Sequence, residues 1–108
     1  MASDRGSVVA ERVLLFSESS NKELKEFRVR IFSPTKVEPG DSNARIDDGA
    51  AKCLVEFLGI SVPGIYIYGI DHVHALKQAA DVDLLLKGIA NKYGYNFFWG
   101  SGEPYFED

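Results

Sequence analysis

The sequence predicts an α+β fold: an antiparallel sheet of about four to five strands with one long helix packed on one face, in the order β-β-β-β-α-β. Three observations predict it. Four segments alternate apolar and polar residues with the period of two expected of half-buried strands. One later stretch, from about His72 to about Lys92, carries the helical period. Strands that come first and a helix that comes late suit a helix layered on one sheet face rather than alternating βαβ units.

From Val8 to Phe16, Val9, Glu11, Val13 and Leu15 share one face, and Ala10, Arg12, Leu14 and Phe16 the other. Residues 17–22 (Ser-Glu-Ser-Ser-Asn-Lys) read as a turn. Over residues 24–32, Phe27, Val29 and Ile31 point one way and Glu26, Arg28 and Arg30 the other. Ser33-Pro34 ends that strand, because proline lacks a ladder donor. Residues 34–50 hold two prolines, two glycines and three aspartates and read as the longest irregular stretch. Residues 51–59 form a third strand with Cys53, Val55 and Phe57 on one face. The link through Pro63-Gly64 is short, which favours an antiparallel hairpin with a fourth strand over residues 65–70.

Asp71 then reads as a helix N-cap, its carboxylate accepting an N–H of the first turn. At about 100° per residue, His74, Lys77, Gln78, Asp81, Gly88 and Lys92 gather on a polar face, and Val73, Leu76, Ala79, Ala80, Leu84, Leu86 and Ala90 on an apolar one. Asp83 falls on the apolar side and Leu85 on the polar side, which points to an irregularity near residues 80–83. The helix stops before Gly94, and Tyr95–Trp99 suits a last strand. The chain is expected to form one domain over residues 1–108, with residues 1–7 disordered.

The 108 residues carry 12 basic and 16 acidic side chains, a formal net charge of -4. That balance argues against a nucleic-acid partner, which needs a basic patch, and against attachment to an anionic membrane. No apolar run approaches the roughly 18–20 residues of a membrane span. A single cysteine, Cys53, excludes an intramolecular disulfide and suits a reduced, cytoplasmic setting.

The residues that could carry chemistry do not assemble into a site. Asp71, His72 and His74 could be metal ligands, but positions two apart on a helix point about 200° from one another. Cys53 lies on an apolar strand face with no helix N-terminus to activate it. Asp41–Asp47 starts like a calcium loop and then places Arg45 and Ile46 where a ligand and a glycine are needed. Gly100-Ser101-Gly102 lacks the Gly-Lys-Ser/Thr ending of a phosphate loop. Arg12, Arg28 and Arg30 could share a sheet face and hold an anion, with cross-strand pairs to Glu11 and Glu26 as the simpler use. No catalytic residue, metal or cofactor is therefore expected.

Gly69-Ile70-Asp71-His72-Val73-His74-Ala75-Leu76 resembles the strand-to-helix segment of a group of small bacterial proteins of unknown function, which carry a Gly-aliphatic-Asp-x-x-x-Ala-Leu signature. The layout over residues 8–100 is also similar: an early hairpin, Pro34, Cys53 in the next strand and Trp99 after the helix. The group favours Gln where His74 stands. The resemblance implies a bacterial origin and the α+β layout, and brings no activity.

Seven of the 13 aromatic residues lie between Tyr93 and Phe106. Phe97 and Trp99 should share one face of the last strand and Phe98 the other, with Trp99 substantially buried in the native assembly. The leading expectation is a non-enzymatic, cytoplasmic interaction module that meets a protein partner or a second copy. A small inhibitor or immunity-type protein is its most specific form. The candidate contact surface is Phe97, Phe98, Trp99 and Tyr105. The alternative is a small-molecule-binding protein or minor enzyme with a cleft at the strand-four-to-helix junction, lined by Tyr66, Tyr68, Asp71 and His72. Asp71→Ala is expected to lower stability by about 0.5–2 kcal/mol through loss of the cap. An unchanged denaturation midpoint would remove that assignment.

Overall fold

The computed structural model describes residues 5–18, 21–38 and 49–106. Six strands and two helices follow in the order β1 (Val8–Glu18), β2 (Asn21–Phe32), β3 (Thr35–Lys36), β4 (Ala51–Leu58), β5 (Ile65–Gly69), α1 (His72–Ala80), α2 (Val82–Tyr93) and β6 (Tyr95–Phe98). The α+β class and the strand order match the sequence reading. The exceptions are the two-residue β3, in a stretch read as irregular, and a helix that is two helices.

All strand pairs are antiparallel. β5 pairs with Ala51–Val55 of β4, while β2 and β3 pair with the same stretch and its continuation. A residue paired twice must use both of its edges, so β2 and β3 lie on one side of β4 and β5 on the other. The sheet is thus five positions wide: β5, β4, β2 continued by β3, β1, β6. Between Ile31↔Val55 and Thr35↔Lys52 one extra residue is inserted beside Pro34, which carries the chain past the missing donor.

One face of this sheet makes the core. Leu14, Phe16, Phe27, Val29, Cys53, Val55, Phe57 and Phe97 lie there, buried against Ala75, Ala79, Val82 and Leu86 of the helices. The residues between them, including Glu11, Arg28, Arg30, Leu54 and Phe98, stand on the outer face. Residues 5–7, expected to be disordered, are pinned instead. Ser7 N–H donates to Ser33 Oγ at 3.0 Å, Ser33 N–H donates to Ser7 O at 2.7 Å, and Arg5 meets Glu56 at 3.3 Å.

The helix breaks at Asp81, whose φ of -80° and ψ of 64° are not helical. The break does not change the helical phase, because the core-facing residues keep the spacing i, i+4, i+7 and i+11 of one helix. Ala75 and Ala79 face the sheet in α1, and Val82 and Leu86 in α2. Val73 and Leu84, assigned to the apolar side by a single continuous helix, are instead 76% and 68% exposed. Gly94 ends α2 in the left-handed conformation (φ 74°), and its N–H donates to Ala90 O.

The strand-to-helix junction explains its own sequence. Asp71 Oδ1 accepts from His74 N–H at 2.7 Å, and the His74 ring Nδ1 accepts in return from Ile70 N–H at 3.0 Å. This is a reciprocal cap built with histidine at the third helical position. A β-carbon at Gly69 would lie 2.7 Å from Ala75 Cα, closer than such atoms can pack. Gly69→Ala is therefore expected to cost about 1–3 kcal/mol, as overpacking does. A denaturant melt checks it, and an unchanged midpoint would contradict the close approach.

Candidate functional site

The aromatic tail divides three ways. Phe97 enters the core, its ring centroid 5.2 Å from that of Phe27. Phe98 pairs with Leu15 on the outer face. Trp99 keeps to the side of Phe97, but β6 has ended at Phe98 and the chain turns back through residues 99–103, with Gly102 N–H donating to Trp99 O. The indole consequently leaves the core and remains 42% exposed in the single chain.

What Trp99 meets there is a polar cluster. Its ring centroid lies 4.7 Å from that of Tyr105, and the Arg12 guanidinium carbon lies 5.5 Å from the indole centroid. Arg12 Nη1 donates to Tyr105 Oη at 2.6 Å. Tyr105 Oη in turn donates to Asp83 Oδ1, and Arg12 Nη1 stands 3.7 Å from the same carboxylate oxygen. Burial pushes the Tyr105 phenol above its ordinary value, and the bond to Asp83 adds to this, while Arg12 opposes it. The cluster ties the C-terminal segment to β1 and to the first turn of α2, where the Asp83 charge also suits the helix dipole.

Arg12 was a candidate only as part of an anion site with Arg28 and Arg30, and Asp83 was not a candidate, although the sequence held the signal for both. Each is a charge placed by periodicity on an apolar side, beside Leu14 in one case and Leu86 in the other. Arg12 accordingly does not share a face with Arg28 and Arg30. Those two hold Glu11 across the outer face, Arg30 Nε at 2.8 Å and Arg28 Nη1 at 3.0 Å. The hydrogen bond from Arg30 holds the Glu11 carboxyl below its usual range.

Beside the cluster, between the last turns of α2 and β6, runs an open groove of about 620 Å³. Tyr95, Phe97, Phe98, Pro104 and Phe106 give it apolar walls, and Lys87, Asn91 and Asn96 give it polar ones. Residues 104–105 close its sheet side, through the Phe98↔Pro104 bridge and the Tyr105 N–H that donates to Phe97 O at 2.9 Å.

The structure does not bring the four expected cleft residues together. Ile65 and Ile67 pair with Val55 and Cys53 on the helix side, so Tyr66 and Tyr68, opposite Leu54 and Lys52, stand on the outer face. The Lys52 ammonium lies over the Tyr66 ring at 4.7 Å. Asp71 is engaged as the cap, and His72 is exposed at the start of α1. His74 faces Gln78 at 3.0 Å with its other ring nitrogen, so the two histidines serve different surroundings. Among the described residues no group of three or more His, Cys, Asp and Glu could hold a metal. The segment Asp41–Asp47 lies outside the described residues. Cys53 is fully buried, and burial pushes its thiol up, away from the thiolate. No helix is long and apolar enough to cross a membrane, among the described residues. Compared with known proteins, the chain matches no family model, no curated protein and no solved structure.

Tyr105→Phe tests the cluster by its pH dependence. The raised phenol keeps its proton in the native state where the unfolded chain has lost it. Its stabilisation is fully present below the ordinary phenol value of 10.0 and is lost as pH rises through the native value. The variant is expected to lose about 0.5–1.5 kcal/mol at pH 7. Its deficit against the parent should shrink above pH 10, in urea melts at both pH values. A deficit that is the same at both would show that the hydroxyl makes no such bonds.

Proposed function

We propose that this chain is a non-enzymatic protein-interaction module and that the Trp99 corner is its contact surface. One observation carries the reading. A half-exposed indole packs against the Tyr105 ring and under the Arg12 guanidinium, next in the chain to Phe98 of an open aromatic groove. Trp, Tyr and Arg are the side chains that most often dominate binding energy, and a surface fixed before binding loses little entropy on contact. The groove offers the adjoining recess for an apolar side chain of the partner. The formal charge of -4 suits a basic partner, as an inhibitor or immunity-type protein would have. A cytoplasmic setting and a bacterial origin, the latter on the Gly69–Leu76 signature, belong to the same proposal.

A second reading rests on the groove alone. Its volume is within the usual 300–1,000 Å³ of small-ligand sites. Lys87, Asn91 and Asn96 among aromatic faces would suit a planar anion. Thermal-shift measurements with aromatic carboxylates separate it from the first: a shift abolished by Lys87→Met, with Trp99→Ala silent, would favour the ligand.

The main reading is tested by affinity capture from the cells that express the chain, with Trp99→Ala and Val73→Ala as baits beside the parent. A partner held by the parent and by Val73→Ala, and lost with Trp99→Ala, is expected. With that partner purified, Trp99→Ala should raise Kd by roughly thirtyfold, the effect of about 2 kcal/mol at a dominant contact. Equal Kd values for Trp99→Ala and the parent would sink the assignment.

A further inference from the structure

We infer that the recess between α2 and the β4–β5 link is a binding site for a small amphipathic anion, a medium-chain aliphatic carboxylate with its chain inside and its carboxylate on Lys92. The recess has a volume of about 270 Å³, and Phe57, Val62, Ile65, Leu85 and Ile89 give it apolar walls. Phe57 is buried, Val62, Leu85 and Ile89 are partly buried, and Ile65 is 46% exposed, so these walls run from the core to the surface. The recess sits at the Ile65 end of β5, away from Ile70 and Gly49 at the other end. Its volume is just below the roughly 300–1,000 Å³ of drug-sized ligand sites, which suits a short, slender molecule.

Two observations point to an occupant of this kind. The first is Gly88, in the middle of α2 and on the wall of the recess. A glycine inside a helix is unfavourable relative to alanine, and its use is to let a backbone or a ligand come close. Outside its own helical turn, no described atom lies within 4 Å of where a Gly88 β-carbon would stand. Packing within the chain therefore does not call for this glycine, as the approach of Ala75 calls for Gly69. Gly88 instead leaves room for an aliphatic chain to lie directly on the backbone of α2. The second observation is charge. Among the described residues that line the recess, Lys92 alone is charged, in a protein with 16 acidic side chains to 12 basic ones. Lys92 stands in the last turn of α2, its ammonium 5.4 Å from the centroid of the Tyr93 ring. No carboxylate among the described residues forms an ion pair with it. One ammonium beside an apolar recess complements a monoanion with an apolar tail, through a charge-assisted hydrogen bond to the carboxylate. The site is distinct from the groove beside β6, where Lys87, Ala90 and Asn91 form the α2 wall. It is also independent of the role proposed for the Trp99 corner.

Isothermal titration of the chain with sodium octanoate, to about 5 mM, tests the proposal. Saturable binding is expected, with hexanoate on the order of tenfold weaker, because each buried methylene is worth a factor of about four. Octanol and octylamine, equal in length but without the negative charge, should each bind about tenfold more weakly than octanoate. Lys92→Met should weaken octanoate by about the same factor and leave octanol unchanged. Gly88→Leu, which fills the recess, should abolish the binding of both. Circular dichroism establishes that the variants are folded, and Gly88→Leu should raise the denaturation midpoint, since leucine is the better helix former. Methyl NMR spectra of the unaltered chain cover the case in which Gly88→Leu does not fold: octanoate should shift the Leu85 and Ile89 methyl signals and leave the Trp99 indole signal in place. Absence of saturable octanoate binding overturns the proposal. So does binding that a folded Gly88→Leu leaves intact, equal affinity for octanol and octanoate, or shifts confined to residues beside β6. Binding that is lost with Lys87→Met and kept with Gly88→Leu belongs to the groove beside β6 and overturns it as well.

Discussion

The contact between helix and sheet is the constraint from which the remaining geometry follows. α1 can lie on the end of β5 only because Gly69 has no side chain and Ala75 and Ala79, the residues facing down, have the smallest ones. At Asp81 the chain leaves helical geometry, and Val82 and Leu86 continue the core side seven and eleven residues after Ala75. Asp83, at the flank of that side, reaches Tyr105. Gly94 then reverses the chain so that β6 returns along β1 and places Phe97 on Phe27. The Trp99 corner exists because of this sequence of steps: its three partners come from β1, α2 and the C-terminal turn.

The fold was largely legible in the sequence, since the features that specify strands are local. Phe27, Val29 and Ile31 alternate with charges, and all three are buried. Cys53, Val55 and Phe57 alternate with half-buried or paired residues and do the same. Asp71 and Gly94 mark helix ends through chemistry that acts within one turn. The helix faces were not legible to the same extent. The apolar residues spread over about half of the wheel, so the wheel did not single out the narrow arc of Ala75, Ala79, Val82 and Leu86 that meets the sheet, and Val73 and Leu84 lie roughly opposite that arc. The two misfit residues, Asp83 and Leu85, marked the place of the break.

The site was legible in composition and not in geometry. The aromatic tail identified the region, and Phe97 and Phe98 fall on opposite faces as the alternation requires. Trp99 departs from the alternation because its strand ends one residue earlier, and strand ends depend on what the following turn can bond to. Arg12 and Tyr105 are 93 residues apart in the chain, and no local pattern connects them. The Tyr66–Tyr68–Asp71–His72 cleft failed for a related reason. Nearness in sequence placed the four together, but the alternation of β5 sends both tyrosines to the face away from α1.

A single helical layer can cover only one face of a sheet, so the opposite face and both edges need other treatment. The centre of the outer face is occupied by Glu11 between Arg28 and Arg30, pairs that are partly exposed and worth little to stability. Their effect is on association, because a ladder of fixed charges is costly to desolvate and keeps the middle of that face from stacking on apolar surfaces. Exposed apolar and aromatic surface is found on both sides of the sheet, at the Trp99 corner beside β6 and at Ile65 and Ile70 in and just past β5. The strand order puts them four positions apart, roughly 19 Å at the usual spacing of sheet neighbours, so that a contact at one leaves the other accessible.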